Sequence, residues 1–339
     1  MPSLKTRNLK LRCARLLAAL LLGCLIPAFA TPASSPIFVL NSQDASVSVI
    51  DATSFEELRR IPTGKEPQHL YLSPDKKSLI VANSASHSLV LIDPLSGELQ
   101  RTIHGVADPY YLRLSPDMKW MVTASNRLDR IDIYRWDTGN PVRPVALAGS
   151  VKLPRTPSHL FIDSKSSVVY VSLQDSDELV AVELASRKLR WRLAVGRLPA
   201  DVYLTPDDKT LFVGLTGDEH VEVYDVSQTP PKPMGRIKTG AGAHAFRARG
   251  DGRHLFVSNR IANTISIIDM HALSVVDTLP APGGPDCIEL LADGKTLLVS
   301  SRWAGKLSVI DVDKRAVTRQ VRVGRSPHDV WTLDHAARH

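Results

Sequence analysis

Short apolar segments recur along this chain at nearly constant intervals, separated by turns rich in glycine, proline, aspartate and asparagine. Residues 37–41 and 47–51 are the first two such segments, and valine, isoleucine and leucine predominate in them. These compositions are typical of β-strands, because branched and aromatic side chains suit a pleated, half-buried surface. Few segments after residue 30 show helical spacing over ten residues, so the pattern predicts an all-β protein.

The segments belong to one repeat that occurs seven times. Each copy has two apolar strands, a third strand ending near a glycine, a Pro-x-x-apolar segment and a closing turn. The closing turn recurs at spacings of 42, 48, 42, 44 and 42 residues, and repeats of this length with four short strands are typical of propeller blades. The aligned turn positions are Asp75, Asp117, Lys165, Asp207, Asp251 and Asp293.

The two ends of the chain predict how the ring closes. The first copy begins in mid-blade at residue 37, and the chain ends with a lone inner strand at residues 327–333. We therefore expect an all-β, seven-bladed β-propeller of four-stranded blades, closed by pairing the N-terminal and C-terminal strands in one blade. Such pairing removes two open sheet edges. An insertion at residues 137–153, rich in proline and glycine, is interpreted as a surface loop.

The repeat resembles that of the YVTN β-propeller family. The motif reads LFVSN at 255–259, ISIID at 265–269 and GPDCIELLADGK at 284–295, and related copies extend over residues 31–339. The resemblance implies the same seven-bladed fold. It also implies kinship with periplasmic propellers related to haem d-binding and quinoprotein-associated propellers, without selecting one function among them.

Residues 1–30 have the layout of a secretory signal peptide. A basic segment is followed by an apolar stretch at 16–26, too short to span a bilayer, and by Ala28-Phe29-Ala30. We expect cleavage after Ala30, leaving residues 31–339 as a single periplasmic propeller domain. The alternative is a lipoprotein anchored through Cys24, because Leu21-Leu22-Gly23-Cys24 resembles a lipidation signal.

Charge and cysteine content narrow the choice of partners. The chain has 42 basic and 35 acidic residues, but five of the basic residues lie in the signal peptide, so the remainder carries only +2. Binding to nucleic acid is therefore disfavoured. Cys287 is the sole cysteine after residue 30, which excludes an internal disulfide there. No further stretch predicts a membrane span, and we expect a monomer.

Candidate binding residues cluster where inner strands begin, since those strands surround the central channel of a propeller. Imidazoles bind metals or donate hydrogen bonds, and guanidinium groups form bidentate hydrogen bonds with carboxylates. We therefore expect an anionic or metal-bearing ligand. The histidines occupy two registers one position apart, and strict alternation would turn one pair away from the channel. The other interpretation is a polar rim that merely satisfies strand-end backbone groups. The predicted channel-mouth residues are His69, His159, His244, His328, Arg260, Arg302, Asp201, Asp286 and Tyr111.

No recognisable catalytic or covalent haem motif occurs in the chain. The sequence therefore favours an exported non-catalytic binding or scaffold propeller that presents its channel-mouth loop face to a small ligand or an envelope protein. The alternative is a cofactor-linked enzyme or cofactor-maturation protein that binds a tetrapyrrole, quinone or metal at the channel mouth. No catalytic residue, metal or cofactor is assigned from the sequence.

Overall fold

The computed structural model describes residues 35–73, 75–137, 139–140 and 142–338. Over these residues the chain forms 28 antiparallel strands in seven four-stranded sheets, which are the blades of a ring. The predicted signal peptide, its cleavage site and Cys24 lie outside the described residues. Within the described part, the chain contains no helix that is long and apolar enough to cross a bilayer.

Blades 1 to 3 follow one another in the chain, and each inner strand comes first in its blade. Two short 3-10 helices, Ser84–Ser86 and Gln174–Ser176, follow the second strands of blades 1 and 3. The strands of these blades are β4 (Pro67–Leu72), β5 (Leu79–Asn83), β6 (Ser88–Ile92) and β7 (Leu99–His104); β8 (Tyr111–Leu114), β9 (Trp120–Ser125), β10 (Arg130–Trp136) and β11 (Val145–Lys152); and β12 (Pro157–Ile162), β13 (Val168–Leu173), β14 (Glu178–Glu183) and β15 (Leu189–Ala194).

Blades 4 to 6 have the same order, whereas blade 7 combines the two ends of the chain. Their strands are β16 (Pro199–Leu204), β17 (Thr210–Leu215), β18 (His220–Asp225) and β19 (Lys232–Lys238); β20 (Ala243–Ala248), β21 (His254–Asn259), β22 (Thr264–Asp269) and β23 (Ser274–Pro280); β24 (Pro285–Leu290), β25 (Thr296–Ser301), β26 (Lys306–Asp311) and β27 (Ala316–Arg322); and, in blade 7, β28 (Pro327–Thr332), β1 (Ile37–Asn41), β2 (Ser46–Ile50) and β3 (Glu57–Pro62).

Ring closure by the chain ends is confirmed. Strand β28 pairs antiparallel with β1, and Phe38 lies opposite Trp331 in the register. Their rings pack with centroids 6.2 Å apart inside a buried cluster shared with blade 1. Blade 7 therefore joins residues almost three hundred positions apart, and β1 is paired on both sides, with β28 and with β2.

The middle strands of each blade are almost entirely buried, as in β5 and β25, while the outermost strands, such as β27, are mostly exposed or half-buried. The aspartates at the recurring strand ends, such as Asp51, form local turns. Asp51 Oδ1 accepts hydrogen bonds from the backbone N–H groups of Thr53 and Ser54, at 2.9 and 2.7 Å. These side chains belong to the fold and not to a site.

The interpretation of residues 137–153 as a surface loop is wrong for residues 145–152. Residues 145–152 form β11, the outermost strand of blade 2, which pairs with β10 along its length. Ala146 and Leu147 are exposed because an outermost strand has a neighbour on one side only. The sequence of this strand concealed it, since its alanines, leucine and glycine do not give a simple alternation of apolar and polar residues.

Candidate functional site

The inner strands enter the channel with a β-bulge. In blade 3, Pro157 pairs with Leu173 and Leu160 pairs with Val171, so Ser158 and His159 together oppose a single residue. The same two-for-one shift occurs in blades 4, 5, 6 and 7. A bulge allows two consecutive side chains to face the same side of a strand. This is why histidines in two registers reach the same channel.

Two rings of seven residues result, one from each position of the bulge. The upper ring, nearer the channel mouth, contains Gln68, Tyr110, Ser158, Ala200, His244, Asp286 and His328, and the lower ring contains His69, Tyr111, His159, Asp201, Ala245, Cys287 and Asp329.

The four channel histidines, His69, His159, His244 and His328, lie together. The centroid of the His69 ring is 4.9 Å from that of His328 and 5.6 Å from that of His159, which in turn is 5.4 Å from that of His244. These residues come from blades 1, 3, 5 and 7, so their contacts place them at the axis of the ring. All four are at most 3% exposed, so they lie inside the channel and not on its outer rim.

The channel mouth is organised around one buried carboxylate. Asp286 accepts hydrogen bonds from Nη2 of Arg260 at 2.6 Å and from Nη1 of Arg302 at 2.9 Å, and His244 Nε2 lies 2.8 Å from its Oδ1. Asp286 is fully buried, whereas the two arginine side chains remain 17% and 27% exposed. We call Asp286, Arg260, Arg302 and His244 the mouth cluster.

The protonation of the mouth cluster follows from its charges. Burial raises the pKa of Asp286, but Arg260 and the neighbouring imidazoles outweigh this effect and hold its pKa well below the usual range. Burial and the Arg260 charge lower the pKa of His244 to about 4. At neutral pH the cluster therefore contains two guanidinium cations, one carboxylate and a neutral imidazole, and has a net positive charge.

A pair of glycines positions Arg302. The backbone N–H groups of Arg302 and Trp303 donate to the carbonyl oxygens of Gly284 and Gly283, both at 2.9 Å. Gly284 has φ +68°, and a Cβ atom there would lie 2.4 Å from the indole of Trp303. Any side chain at position 284 would displace the loop that carries Arg302 and Trp303. A glycine is therefore required for the backbone at 284 to lie this close to Trp303.

The other predicted site residues lie deeper. Tyr111 packs between His69 and His159, with ring centroids at 4.3 and 4.6 Å. The carboxylate of Asp201 accepts hydrogen bonds from the backbone N–H groups of Val202 and Phe246, both at 2.9 Å, and so joins blade 4 to blade 5. Burial raises the pKa of Asp201. The structure thus brings all nine predicted residues to the channel, at different depths.

A third ring was not predicted from the sequence. Its residues lie two positions after those of the lower ring, so they point to the same side of each strand. This spacing, together with the charged residues among them, could have identified the ring from the sequence. Arg113 lies above the ring of Phe161 with its Cζ 4.4 Å from the centroid, and Arg247 donates to Glu289 at 2.6 Å. The ring contains Tyr71, Arg113, Phe161, Tyr203, Arg247, Glu289 and Trp331.

The C-terminal tail covers this lower end of the channel. Arg247 donates from Nη1 to the carbonyl oxygen of Ala337 at 2.9 Å and from Nη2 to that of Ala336 at 2.7 Å, while Arg338 forms an ion pair with Glu289. The cavity enclosed between the rings and the tail has a volume of about 70 Å³. The partly exposed arginines are therefore at the open end, the channel mouth.

The low pKa of His244 predicts a loss of stability in mild acid. The unfolded chain takes up a proton at this residue near pH 6.5, whereas the folded protein does so only near pH 4, so the free energy of unfolding should fall as the pH drops between these values. The contribution of His244 is on the order of 3 kcal/mol. Urea unfolding at pH 7 and pH 5 should show a smaller difference for His244→Gln than for the unmodified protein.

His104→Gln, on an exposed position of β7, is the control for loss of one histidine. If His244→Gln and the unmodified protein show the same difference between pH 7 and pH 5, the imidazole is not held neutral by burial.

Comparison with solved structures supports the architecture. The chain is similar to dihydro-heme d1 dehydrogenase NirN in complex with DHE, at 15% identity and TM-score 0.67 over 91% of this chain and 77% of that chain. It is similar to a functionally unknown protein from Desulfotomaculum acetoxidans, at 14% identity and TM-score 0.76 over 90% of this chain and all of that one. These identities establish a common fold alone.

A third similar structure is the periplasmic gluconolactonase PpgL of Pseudomonas aeruginosa, at 19% identity and TM-score 0.73 over 90% of this chain and 99% of that chain. No curated protein sequence matches the chain. The profile of one family, described as YNCE-like beta-propeller, matches residues 9–338, and the resemblance to YVTN-repeat propellers is confirmed. On this match over nearly its whole length, and on its seven four-stranded blades, the chain belongs to the YNCE-like beta-propeller family.

Proposed function

We propose that this protein is a binding propeller that takes a small organic anion at the channel mouth, between Arg260 and Arg302. The observation that carries the proposal is the pair of partly exposed guanidinium groups on one buried carboxylate. Each guanidinium has five N–H donors and uses only part of them on Asp286, so donors remain for a carboxylate ligand. The net positive charge of the mouth cluster favours such a ligand.

Neighbouring side chains fit an anion with an apolar part. Ile261 and Trp303 each follow one of the two arginines, on adjacent blades, and are 57% and 61% exposed. On the other side of Arg302, towards blades 7 and 1, a cavity of about 580 Å³ is lined by this arginine and by Lys65, Glu66 and Gln68, among others. This volume is within the range of about 300–1,000 Å³ that is usual for small-molecule sites. Exposed apolar groups next to cations suit an amphiphilic carboxylate.

The proposal includes export to the periplasm, on the signal-peptide pattern of residues 1–30. The intact mass of the protein recovered from the periplasm would test cleavage after Ala30. A lipid attached at Cys24 would instead support the lipoprotein alternative. Neither outcome changes the mouth cluster, which lies far along the chain from this segment.

The alternative, a tetrapyrrole or quinone bound at the channel mouth, would have to lie outside the channel, because the channel histidines leave no room for it. The cavity between the rings has a volume of about 70 Å³, far below the ~300 Å³ at which small-molecule sites begin. His244 is engaged on both ring nitrogens, with Thr216 Oγ1 at 3.2 Å from Nδ1 and Arg260 Nη2 at 2.5 Å from Nε2. His328 is completely buried. The described residues therefore do not fit a macrocycle in the channel.

Binding of benzoate, measured by isothermal titration calorimetry, tests the proposed function. We expect benzoate to bind more tightly than acetate, because of Ile261 and Trp303, and more tightly than benzyl alcohol, which lacks the charge. Replacing Arg302 by Ala should weaken benzoate binding about 10-fold to 100-fold, the effect of losing a charge-assisted hydrogen bond of about 1.5–3 kcal/mol.

The matched control is Arg192→Ala, which removes an arginine that is half-exposed and paired with Glu178 on an outer strand, away from the mouth. It should leave benzoate binding unchanged. Equal affinities for benzoate and benzyl alcohol, or equal losses in Arg192→Ala and Arg302→Ala, would contradict an anion site at the mouth.

A further inference from the structure

Three metal-binding side chains that the proposed anion site does not use converge at the axis of the channel, one from the upper ring and two from the lower ring. The candidate ligand atoms of His69, Cys287 and His328 all lie within 4.8 Å of one another, and all three residues are buried. They come from blades 1, 6 and 7, so the convergence arises from ring closure and not from a local sequence motif.

Several imidazole nitrogens at this place lack hydrogen-bond partners. They are Nε2 of His69, Nε2 of His159 and both ring nitrogens of His328, and all are buried. A buried polar atom without a partner costs about 1–3 kcal/mol. Four such atoms around one axis indicate a missing partner, and a small cavity lined by His69, His159 and Cys287, among others, has room for an ion.

The second nitrogens of two of these histidines are already held. Nδ1 of His69 lies 3.3 Å from Oδ2 of Asp329, and Nδ1 of His159 lies 2.9 Å from Oγ of Ser158. Asp329 is itself fixed by the backbone N–H of Leu70 at 2.9 Å. Metal-bound histidines usually carry such a partner on the nitrogen that does not bind the metal. The arrangement leaves Nε2 of both rings available.

The side chains supply the donor atoms that these metals need. Imidazole nitrogens bind zinc and copper as neutral ligands, and cysteine binds them as a thiolate. A bound cation would displace the thiol proton to solvent and form a sulfur–metal bond.

We propose that His69, His328 and Cys287 bind one zinc or copper ion at the axis of the channel, with Nε2 of His159 as a fourth ligand. Imidazole and thiolate together select these metals over calcium or magnesium, which prefer oxygen. Bonds of about 2.0–2.3 Å place tetrahedral ligands about 3.3–3.8 Å apart. The separations of up to 4.8 Å among the ligand atoms of His69, Cys287 and His328 therefore need only small side-chain rotations, whereas His159 lies outside this group of three and has to move further.

The test is metal titration of the full chain under reducing conditions, with Zn²⁺ and Cu⁺ and with Co²⁺ as a spectroscopic probe for the zinc site. We expect one equivalent per chain and, for Co²⁺, a thiolate-to-metal charge-transfer band together with tetrahedral ligand-field bands. Cys287→Ala should abolish the charge-transfer band and lower affinity at least about 100-fold. This variant should fold, because Ala245 occupies the same lower-ring position in blade 5.

His328→Gln provides a second removal that does not involve the thiol, and it should also lower affinity at least about 100-fold. The matched control is His220→Gln, which removes a partly exposed histidine paired with Asp218. Circular dichroism reports whether each variant is folded. Less than one equivalent of tightly held metal, or an unchanged band in Cys287→Ala, would overturn the proposal and leave water as the occupant. Benzoate binding is independent of this result, so the two proposals fail separately.

Discussion

Deletion of residues 327–339 is expected to abolish the folded ring. The deletion removes β28, the inner strand of blade 7 and the pairing partner of β1. It also removes Trp331, which is buried against Phe38, and loss of a buried tryptophan side chain alone costs about 3–5 kcal/mol. The exposed edge of β1 should then pair with other molecules.

The expected measurement is an aggregated product without a cooperative unfolding transition, by size-exclusion chromatography and calorimetry. The control is a chain ending at Leu333, which keeps β28 and loses only the tail that covers the lower end of the channel. That chain should remain monomeric and folded. A monomer with an unchanged melting temperature after deletion of 327–339 would show that these residues do not close the ring.

Replacement of Asp286 by Ala is expected to destabilise the protein by about 3–5 kcal/mol, because it removes the one carboxylate among buried or half-buried cations. Arg260 and Arg302 would lose their common acceptor, and His244 would lose its contact at 2.8 Å. Without the carboxylate, the two guanidinium groups at the channel mouth would repel each other. Water would have to enter the channel mouth to hydrate them, and the packing of the neighbouring side chains would be lost.

Asp218→Ala is the matched control, since Asp218 also contacts an arginine and a histidine, Arg236 at 2.7 Å and His220 at 3.0 Å. This aspartate is 28% exposed, so its removal should cost about 1 kcal/mol or less. Urea unfolding at pH 7 compares the two variants. Equal losses of unfolding free energy would indicate that burial of Asp286 does not amplify its ion pairs.

The fold was predictable because each blade is encoded locally. The turn aspartates, such as Asp51, bind neighbouring backbone groups, and the buried middle strands, such as β25, are runs of apolar residues. Neither feature depends on distant parts of the chain. Strand β11 was missed because its exposed side chains, such as Leu147, reflect its outermost position and not an alternating pattern.

The site was predictable only as a set of positions. The residues after each repeat proline, such as His69 and Asp286, were expected at the channel. The depth of each side chain in the channel was not predicted. The division into an arginine–carboxylate cluster at the mouth and an imidazole–thiol cluster at the axis was not predicted either. Cys287 was not among the predicted site residues, because one cysteine in a strand has no spacing that indicates a ligand.

The sequence by itself determined the number of blades, the strand order and the closure of the ring. Each repeat contains the strands of one blade in order, so counting the repeats and comparing the two chain ends gives the topology. The tertiary structure decided which side chains meet at the axis. The entry bulge, as at Ser158 and His159, turns two consecutive residues inward where simple alternation allows one. Ring closure then brings His69 from blade 1 to within 4.9 Å of His328 from blade 7, between ring centroids. Contacts between residues this far apart in the chain depend on the tilt and position of every blade around the ring. A local pattern of residues does not contain that information.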